Sequence, residues 1–238
     1  MKKKILVTGG DGRFAITLKK HNKSLNLFFC SKKKFNILNP LSISKNLNKI
    51  KPEIVLHCAG LSRPMDIHEK NIKKSIDLNI IGTANLVKAC SDNNIKIIYF
   101  STGYVYEGKN GNYSEIDSVK PFNNYGLSKL GGECSVAMYS NSLILRITMT
   151  EKPFLHNTAY SNLKTNFMYH EELVNILPKL INKYGIINVG GKIQSVYDFA
   201  KKEKPGIKKE ILRKNNKMPL NQTMNISKLK KIMNKNKK

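Results

Sequence analysis

Short apolar runs alternate along the chain with stretches in which apolar residues recur at helical spacing. The runs predict strands over residues 4–8, 26–30, 53–57, 95–101, 143–146 and 186–189. The amphipathic stretches predict helices over 13–22, 42–50, 68–91, 124–139 and 170–184. Strands separated by helices in this way return through right-handed crossovers, so the expected class is α/β with a doubly wound parallel sheet. Pro52 and Pro121 mark element boundaries, because the residue before a proline is pushed out of helical geometry. Residues 148–166 show no clear periodicity and are expected to cross over the active edge of the sheet. The organisation read from the pattern is a sheet domain over 1–147, with 167–200 returning to it. A small C-terminal lobe takes 148–166 and 201–228, and a basic tail takes 229–238, with a helix candidate over 227–235.

Composition narrows the picture. With 238 residues, 40% of them hydrophobic, the chain is long enough to bury a substantial core. A net charge of +26 would ordinarily point to a polyanion partner. The cations are overwhelmingly lysine, however, with arginine only at 13, 63, 146 and 213, and they are spread over the whole chain. Together with abundant Asn and Ile this reads as a global compositional bias, and no aromatic platform or recognition motif accompanies it, so nucleic acid is not expected. The positive field would still attract an anionic nucleotide. Cys30, Cys58, Cys90 and Cys134 are widely separated, lack metal-ligand spacing and read as reduced core residues, so no metal is expected. The apolar stretch after Lys2–Lys4 is too short for a secretory signal and no run approaches membrane-spanning length, so a cytoplasmic protein is expected.

Two local patterns carry chemistry. The first strand leads into Thr8-Gly9-Gly10-Asp11-Gly12-Arg13-Phe14-Ala15 and then a helix. A buried strand, a glycine turn and a helix N-terminus form a place where backbone N–H groups receive a dinucleotide pyrophosphate. Gly9 and Gly12 permit the tight turn and the close approach, and Ala15 is small enough for close helix–strand packing. The second pattern is Tyr125 with Lys129 one turn later, downstream of Ser101-Thr102. Residues four apart share a helix face, so an ammonium beside the phenol would favour its ionised form and suit it to proton transfer.

These stretches, with Lys51 through Gly60, Asn79-Ile80-Ile81-Gly82-Thr83, Ser101 through Gly108 and Pro121 through Glu133, resemble the extended short-chain dehydrogenase/reductases. Within them the chain is similar to the dTDP-4-dehydrorhamnose reductase-like branch of the nucleotide-sugar epimerase/dehydratase family. The resemblance covers most of the first 150 residues and implies a Rossmann-type sheet with a small substrate-binding lobe. It implies that Tyr125 exchanges a proton with the substrate oxygen, that Thr102 hydrogen-bonds the same oxygen and that Lys129 holds the nicotinamide ribose. Asn79 would support a proton relay. Cofactor contacts are implied for Gly9, Gly12, Arg13 and Phe14 at the turn, and for Cys58, Ala59 and Gly60 after the third strand. Ser31, Lys32, Asn36 and Ile37 would take the adenosine end. NAD-binding sites usually end the second strand with an acidic residue, whereas this chain has Cys30-Ser31-Lys32-Lys33-Lys34. Cations there, with Arg13 as a second clamp, favour NADP, with NAD as the alternative.

The acidic pair that family dehydratases carry after the threonine is absent, and Thr102-Gly103-Tyr104-Val105-Tyr106 resembles the reductase run with Gly103 in place of aspartate. Tyr104 either meets the sugar or is a buried structural tyrosine. Arg63 either reaches a substrate phosphate or is an exposed loop arginine. Thr148, at the end of the fifth strand, is the remaining substrate-side candidate. The expected function is an NADP-dependent reductase of a 4-keto nucleotide sugar. The alternatives are a nucleotide-sugar epimerase and a non-catalytic cofactor-binding regulatory subunit. The helices at 68–91 and 124–139 resemble those that pair in family homodimers, or face the sheet.

Overall fold

The computed structural model describes residues 2–213 and 218–234. Six parallel strands form the central sheet: β1 Lys4–Thr8, β2 Asn26–Cys30, β3 Ile54–His57, β4 Lys96–Thr102, β5 Ser142–Ile147 and, after the intervening short strands, β10 Gly185–Val189. Their order across the sheet is β10-β5-β4-β3-β1-β2. Ile5, Leu6 and Val7 of β1 are all buried, as an apolar run covered on both faces must be. One layer consists of α1 Arg13–His21, α7 His170–Leu180 and α9 Ser227–Asn234. Their Phe14, Leu18, Leu173, Leu177 and Leu229 enclose alternate residues of the strands. The other layer consists of α2 Pro40–Ile50, α5 Gly82–Asp92 and α6 Asn124–Ala137, which bury Ile43, Leu47, Leu86, Cys90 and Val136 against the opposite face.

Local chemistry sets the helix ends. Asn39 caps α2 by accepting from the N–H groups of Leu41 and Ser42, with Pro40 at the first helical position, so α2 starts before the predicted residue 42. The predicted helix over 68–91 is broken. A short α3, Ile67–Lys70, ends at Asn71, whose φ of −138° leaves the helical region. The Asn71 side chain accepts from Lys74 N–H and restarts the chain as α4, Ile72–Ile76. A wider, π-type turn over Asp77–Ile81 then leads into α5. Such bulges appear at functional sites, and this one turns Asn79 inward until it is 1% exposed.

Close packing of α6 on that turn needs glycine. A Cβ at Gly132 would overlap the Asn79 carbonyl oxygen and lie 2.6 Å from Tyr99 Oη, whereas one at Gly131 meets only the side chain of Ile80. Gly132→Ala is therefore expected to cost about 1–3 kcal/mol in urea unfolding despite alanine's better helix propensity. Gly131→Ala should cost less, since the tip of Ile80 can move.

Beyond β5 the chain makes only short strands: β6 Met149–Thr150, β7 Thr158–Tyr160, β8 Lys164–Thr165, β9 Met168–Tyr169, β11 Gln194–Ser195 and β12 Lys208–Glu210, with α8 Val196–Ala200. Phe154, Ala159, Leu163, Tyr169, Phe199, Ile207 and Leu212 form a second, smaller core there. α8 packs in this core and β11 pairs with β8, so the stretch predicted to return to the sheet, 167–200, is shared between the two. The predicted basic tail is helical as far as Asn234, and Leu229 anchors it in the main core; residues 235–238 lie outside the described residues. All four cysteines are free; Cys30 and Cys90 are buried and Cys58 half-buried, but Cys134 is exposed on the outer side of α6 and is not the core residue expected. No helix among the described residues is long and apolar enough to cross a membrane.

Candidate active site

Beside β1 the strand order reverses direction, β2 lying on one side and β3 on the other, and ligands of open α/β sheets bind beyond the strand ends at such a point. A cavity of ≈ 800 Å³ opens there. It runs from Gly9, Gly12 and Phe14, past Cys58, Ala59 and Gly60, to Thr102, Tyr125 and Lys129, and continues into the lobe at Phe154 and Tyr160.

Thr102 is the last residue of β4, and strand alternation separates it from Ser101. Ser101 donates to buried Glu133 at 2.6 Å, while Thr102 faces the cavity. Asn123 caps α6 by accepting from Gly126 N–H, which fixes Tyr125 in the first turn. Gly126 lets that turn press on the backbone of Tyr104, where a Cβ would overlap the carbonyl oxygen. The Tyr125 ring is walled by His68, centroids 5.0 Å apart, and edge-on by Tyr104 at 5.8 Å. Burial pushes the phenol up to about 12; the neighbouring Thr102 hydroxyl, Arg63 and Arg13 oppose the shift.

Lys129 shares the helix face of Tyr125, but its ammonium does not produce the lowering expected from that spacing. Nζ lies 4.1 Å above the centre of the Tyr99 ring. Burial pulls this lysine down to about 7, against the favourable charges of Glu133 and Cys58. The cations that bear on the phenol are those of Arg63 and Arg13.

The Asn79 amide is fully occupied. Its oxygen accepts from Leu61 N–H at 2.7 Å and its nitrogen donates to Leu61 carbonyl and to Ser128 Oγ, both at 2.9 Å. Asn79 thus clamps the loop after β3 to α6 beside the Tyr/Lys pair, and its side chain does not line the cavity. Its backbone carbonyl ends a chain of hydrogen bonds that begins in the loop after β3. Ala59 N–H donates to Thr8 Oγ1, which faces His57 Nδ1 at 2.9 Å; His57 Nε2 faces Thr83 Oγ1 at 3.1 Å, and Thr83 donates to Asn79 carbonyl. The two ends fix the directions. Thr83 donates to Asn79 and so accepts from Nε2–H; in a neutral ring Nδ1 then accepts from the Thr8 hydroxyl. Burial, with Lys129 nearby, pushes His57 down to about 3, consistent with that state.

At the other end of the cavity Gly9 has φ +66°, and a Cβ on it would lie 2.8 Å from Ala59 Cα. Gly12 precedes α1 without a side-chain cap, and the first turn contains no acidic residue, so the helix's first N–H groups are left without a partner from their own turn. Phe14 turns its ring inward between Phe100 and His170. Gly10 N–H donates to Cys30 carbonyl, holding Ser31 and exposed Lys32 next to the turn. These features suit a dinucleotide diphosphate with a 2′-phosphate beyond β2. Asn36 and Ile37 stand further out: the Asn36 oxygen accepts from Leu38 N–H, and Ile37, 4% exposed, packs where a Gly82 Cβ would go. Arg13 points away from Lys32, to Ser62 Oγ and to Glu151.

On the substrate side Tyr104, Arg63 and Thr148 all line the cavity. Tyr104 is pushed up by burial, and Arg63 pairs with Glu151 at 2.9 Å. A side chain at Gly103 would meet Thr148 Oγ1 at 2.9 Å and Met224 Sδ at 3.1 Å, so the C-terminal segment fills the place of the aspartate that this chain lacks.

The family model described as "RmlD substrate binding domain" matches residues 2–165. The chain belongs to this family. Among curated relatives, "Methionine adenosyltransferase 2 subunit beta" of Danio rerio is 30% identical over 155 residues, 61% of this chain and 47% of that protein. A "dTDP-4-dehydrorhamnose reductase" of Aggregatibacter actinomycetemcomitans is 27% identical over 166 residues, 68% of this chain and 56% of that protein. The chain spans about half the length of the curated relatives it matches. Among solved structures, the dTDP-4-dehydrorhamnose reductase of Bacillus anthracis in complex with NADP superposes with a TM-score of 0.84 at 23% identity, covering 97% of this chain and 91% of that one. The Bordetella bronchiseptica enzyme WbmG in complex with NAD gives 0.80 at 16% identity, covering 97% of this chain and 87% of that one. These likenesses establish the doubly wound fold of this RmlD-family chain along nearly its whole length.

Four residues around the site were not singled out by the sequence reading: His57, Glu133, Arg146 and Glu151. Glu133 and Arg146 form a buried ion pair, 2.6 Å apart, behind Ser101 and Lys129. One signal was available, since Arg146 is an arginine inside an otherwise apolar strand and needs an acidic partner in the core. His57 carried no comparable signal, because its partners Thr8 and Thr83 come from distant segments.

Proposed function

We propose that this RmlD-family chain binds NADP, with NAD as the weaker alternative, and reduces the keto group of a 4-keto nucleotide sugar. The observation that carries the reading is the meeting of Thr102 and Tyr125, with Lys129 one turn on, in a single cavity that also contains the uncapped N-terminus of α1. The likeness to the B. anthracis and A. actinomycetemcomitans dTDP-4-dehydrorhamnose reductases supports it. When bound, the reduced nicotinamide supplies the hydride. Tyr125, protonated throughout the neutral range, gives its proton to the substrate oxygen, and Thr102 Oγ1 hydrogen-bonds that oxygen and fixes its angle. Lys129 swings from the Tyr99 ring to a ribose hydroxyl and brings its ammonium towards the phenol. Asn79 positions the loop and α6 that carry these groups. Lys32 and its neighbours take the 2′-phosphate. The small core around Phe154 and Phe199 is the substrate lobe, and Arg63, Tyr104 and Thr148 face the sugar nucleotide. Such a reaction belongs in the cytoplasm, where its nucleotide substrates are. The exposed Ile72, Ile76, Ile81 and Leu127 on α4 to α6 are the surface through which two copies would pair.

A second reading, a non-catalytic cofactor-binding subunit, is favoured by two observations. The adenosyltransferase relative is named as a subunit, and the Lys129 ammonium rests over the Tyr99 ring. Fluorescence titration with NADPH and NADH, followed by NADPH consumption against a panel of 4-keto sugar nucleotides, separates the two. The reductase reading expects tighter NADPH binding and oxidation with at least one panel member. Tight binding with no oxidation by any member would replace it with the subunit reading, and sugar isomerisation with retained cofactor and no net oxidation would replace it with the epimerase.

A further inference from the structure

A closed ion-pair bridge crosses the cavity where the glycine turn meets the lobe. The Glu151 carboxylate, just beyond β6, places one oxygen 3.1 Å from Arg13 Nε and the other 2.9 Å from Arg63 NH1. Arg13 also donates to Ser62 Oγ at 3.0 Å, which holds it over the loop after β3. The three residues come from three separate segments of the cavity wall, and all of them line it. The carboxylate is 17% exposed, against 45% and 33% for the two guanidiniums, so the acid sits inside and the cations enclose it. His170 completes the group: it is 5% exposed, lines the same cavity and has no partner for Nδ1. The first turn of α1, which begins with Arg13, has no side-chain cap and contains no acidic residue of its own. Every donor here is suited to an oxyanion, and the oxyanion that the two arginines hold is supplied by the protein itself.

We propose that Glu151 is a carboxylate latch that stands in for a phosphoryl group between Arg13 and Arg63 and is displaced when a ligand's diphosphate enters. It rests on reading the cavity as a dinucleotide and nucleotide-sugar site, and it deepens that reading by naming the residue that limits affinity for the anionic part. An incoming diphosphate must break two partly exposed, and therefore weak, ion pairs before it gains the same guanidiniums. Ligand is thereby held less tightly and released faster than the bare cation pair would allow. The latch also offsets half of the charge of the two part-exposed guanidiniums in the free protein, so the cavity attracts passing anions less strongly.

The test is calorimetric titration of the full chain and its Glu151→Gln variant with inorganic pyrophosphate, NADPH and UDP. Glu151→Gln should bind pyrophosphate about threefold to tenfold more tightly than the parent chain. Glu151→Asp, which keeps the charge but is too short to span both arginines, should show a smaller gain and serves if the glutamine variant does not fold. A gain shared with NADPH alone assigns the displaced carboxylate to the cofactor's diphosphate, and one shared with UDP alone assigns it to the substrate's. Unchanged or weaker pyrophosphate binding in both variants would mean that Glu151 merely holds the arginines in place, and the latch is wrong. If the parent chain fails to bind NADPH, the cofactor reading falls while the pyrophosphate arm still decides the latch.

Discussion

Replacing Tyr125 with phenylalanine is expected to lower NADPH-dependent turnover of a keto-sugar nucleotide by about two to four orders of magnitude, with NADPH affinity held within about twofold. The two halves of that expectation have separate causes. Burial pushes the phenol up to about 12, so it is protonated throughout the neutral range, and its removal leaves Thr102 to orient an oxygen that receives no proton. The ring itself, packed against His68 and Tyr104, is preserved in phenylalanine, so the cavity keeps its shape. A variant that keeps more than about a tenth of the parent rate would remove Tyr125 from the role of acid. Lys129 adds a pH signature. Its amine, pulled down to about 7 chiefly by burial, loses its proton as pH rises through neutrality. Because kcat/KM reports the groups of the free protein, it should fall above about pH 7, and Lys129→Arg, which stays charged, should shift that falling limb upward. The same shift has a stability consequence. The folded lysine releases its proton near 7 while the unfolded one holds it to its ordinary value, so between those limits the unfolded chain binds more protons and stability rises with pH.

How far the site could be read from the sequence depended on how local its determinants are. The six sheet strands lie within a residue or so of the runs that predicted them, because a run such as Ile5-Leu6-Val7 is apolar on both faces and is bounded by glycine or charge. The convergence of Thr102 and Tyr125 followed from the strand end and the helix start, each fixed by nearby residues. The π-type turn at Asp77–Ile81 was not legible, since its cause is the fit of Gly132 against the Asn79 carbonyl, a contact between segments far apart in the chain. The spacing of Lys129 was correct and its direction was not: sharing a helix face with Tyr125 says nothing of the Tyr99 ring on β4, which is where the ammonium lies. The same limit applies to Arg13. Its place after the glycine turn suggested a 2′-phosphate clamp, but only folding reveals Glu151 as its partner.

Arg146→Met is expected to destabilise the fold by about 3–5 kcal/mol, the largest loss from any single substitution proposed for this chain. Arg146 on β5 and Glu133 on α6 are 5% and 4% exposed and 2.6 Å apart, and the network around them is satisfied. Arg146 NH1 donates to Tyr106 Oη at 2.8 Å, Tyr106 donates to Asn188 Oδ1 at 2.9 Å, and Ser101 donates to Glu133 Oε2. Burial alone would lower the guanidinium, yet the bond and charge of Glu133 hold it above its ordinary value, so the cation persists at any pH at which the chain is folded. Methionine keeps the length and apolar stem but leaves the Glu133 carboxylate buried with only Ser101 as a donor, which is the costly half of breaking a buried pair. The double variant Arg146→Met with Glu133→Leu removes both charges and should recover most of the loss. Urea unfolding of both variants decides the matter: a single variant no less stable than the double would show that the carboxylate is not stranded. The loss should also reach the chemistry. Glu133 lies one turn beyond Lys129 and is the neighbour that most favours its ammonium, while Ser101 precedes Thr102 on β4. With the Arg146 cation gone, the uncompensated Glu133 carboxylate favours the Lys129 ammonium more, so the single variant is expected to move the falling limb of the pH profile upward under conditions where it remains folded.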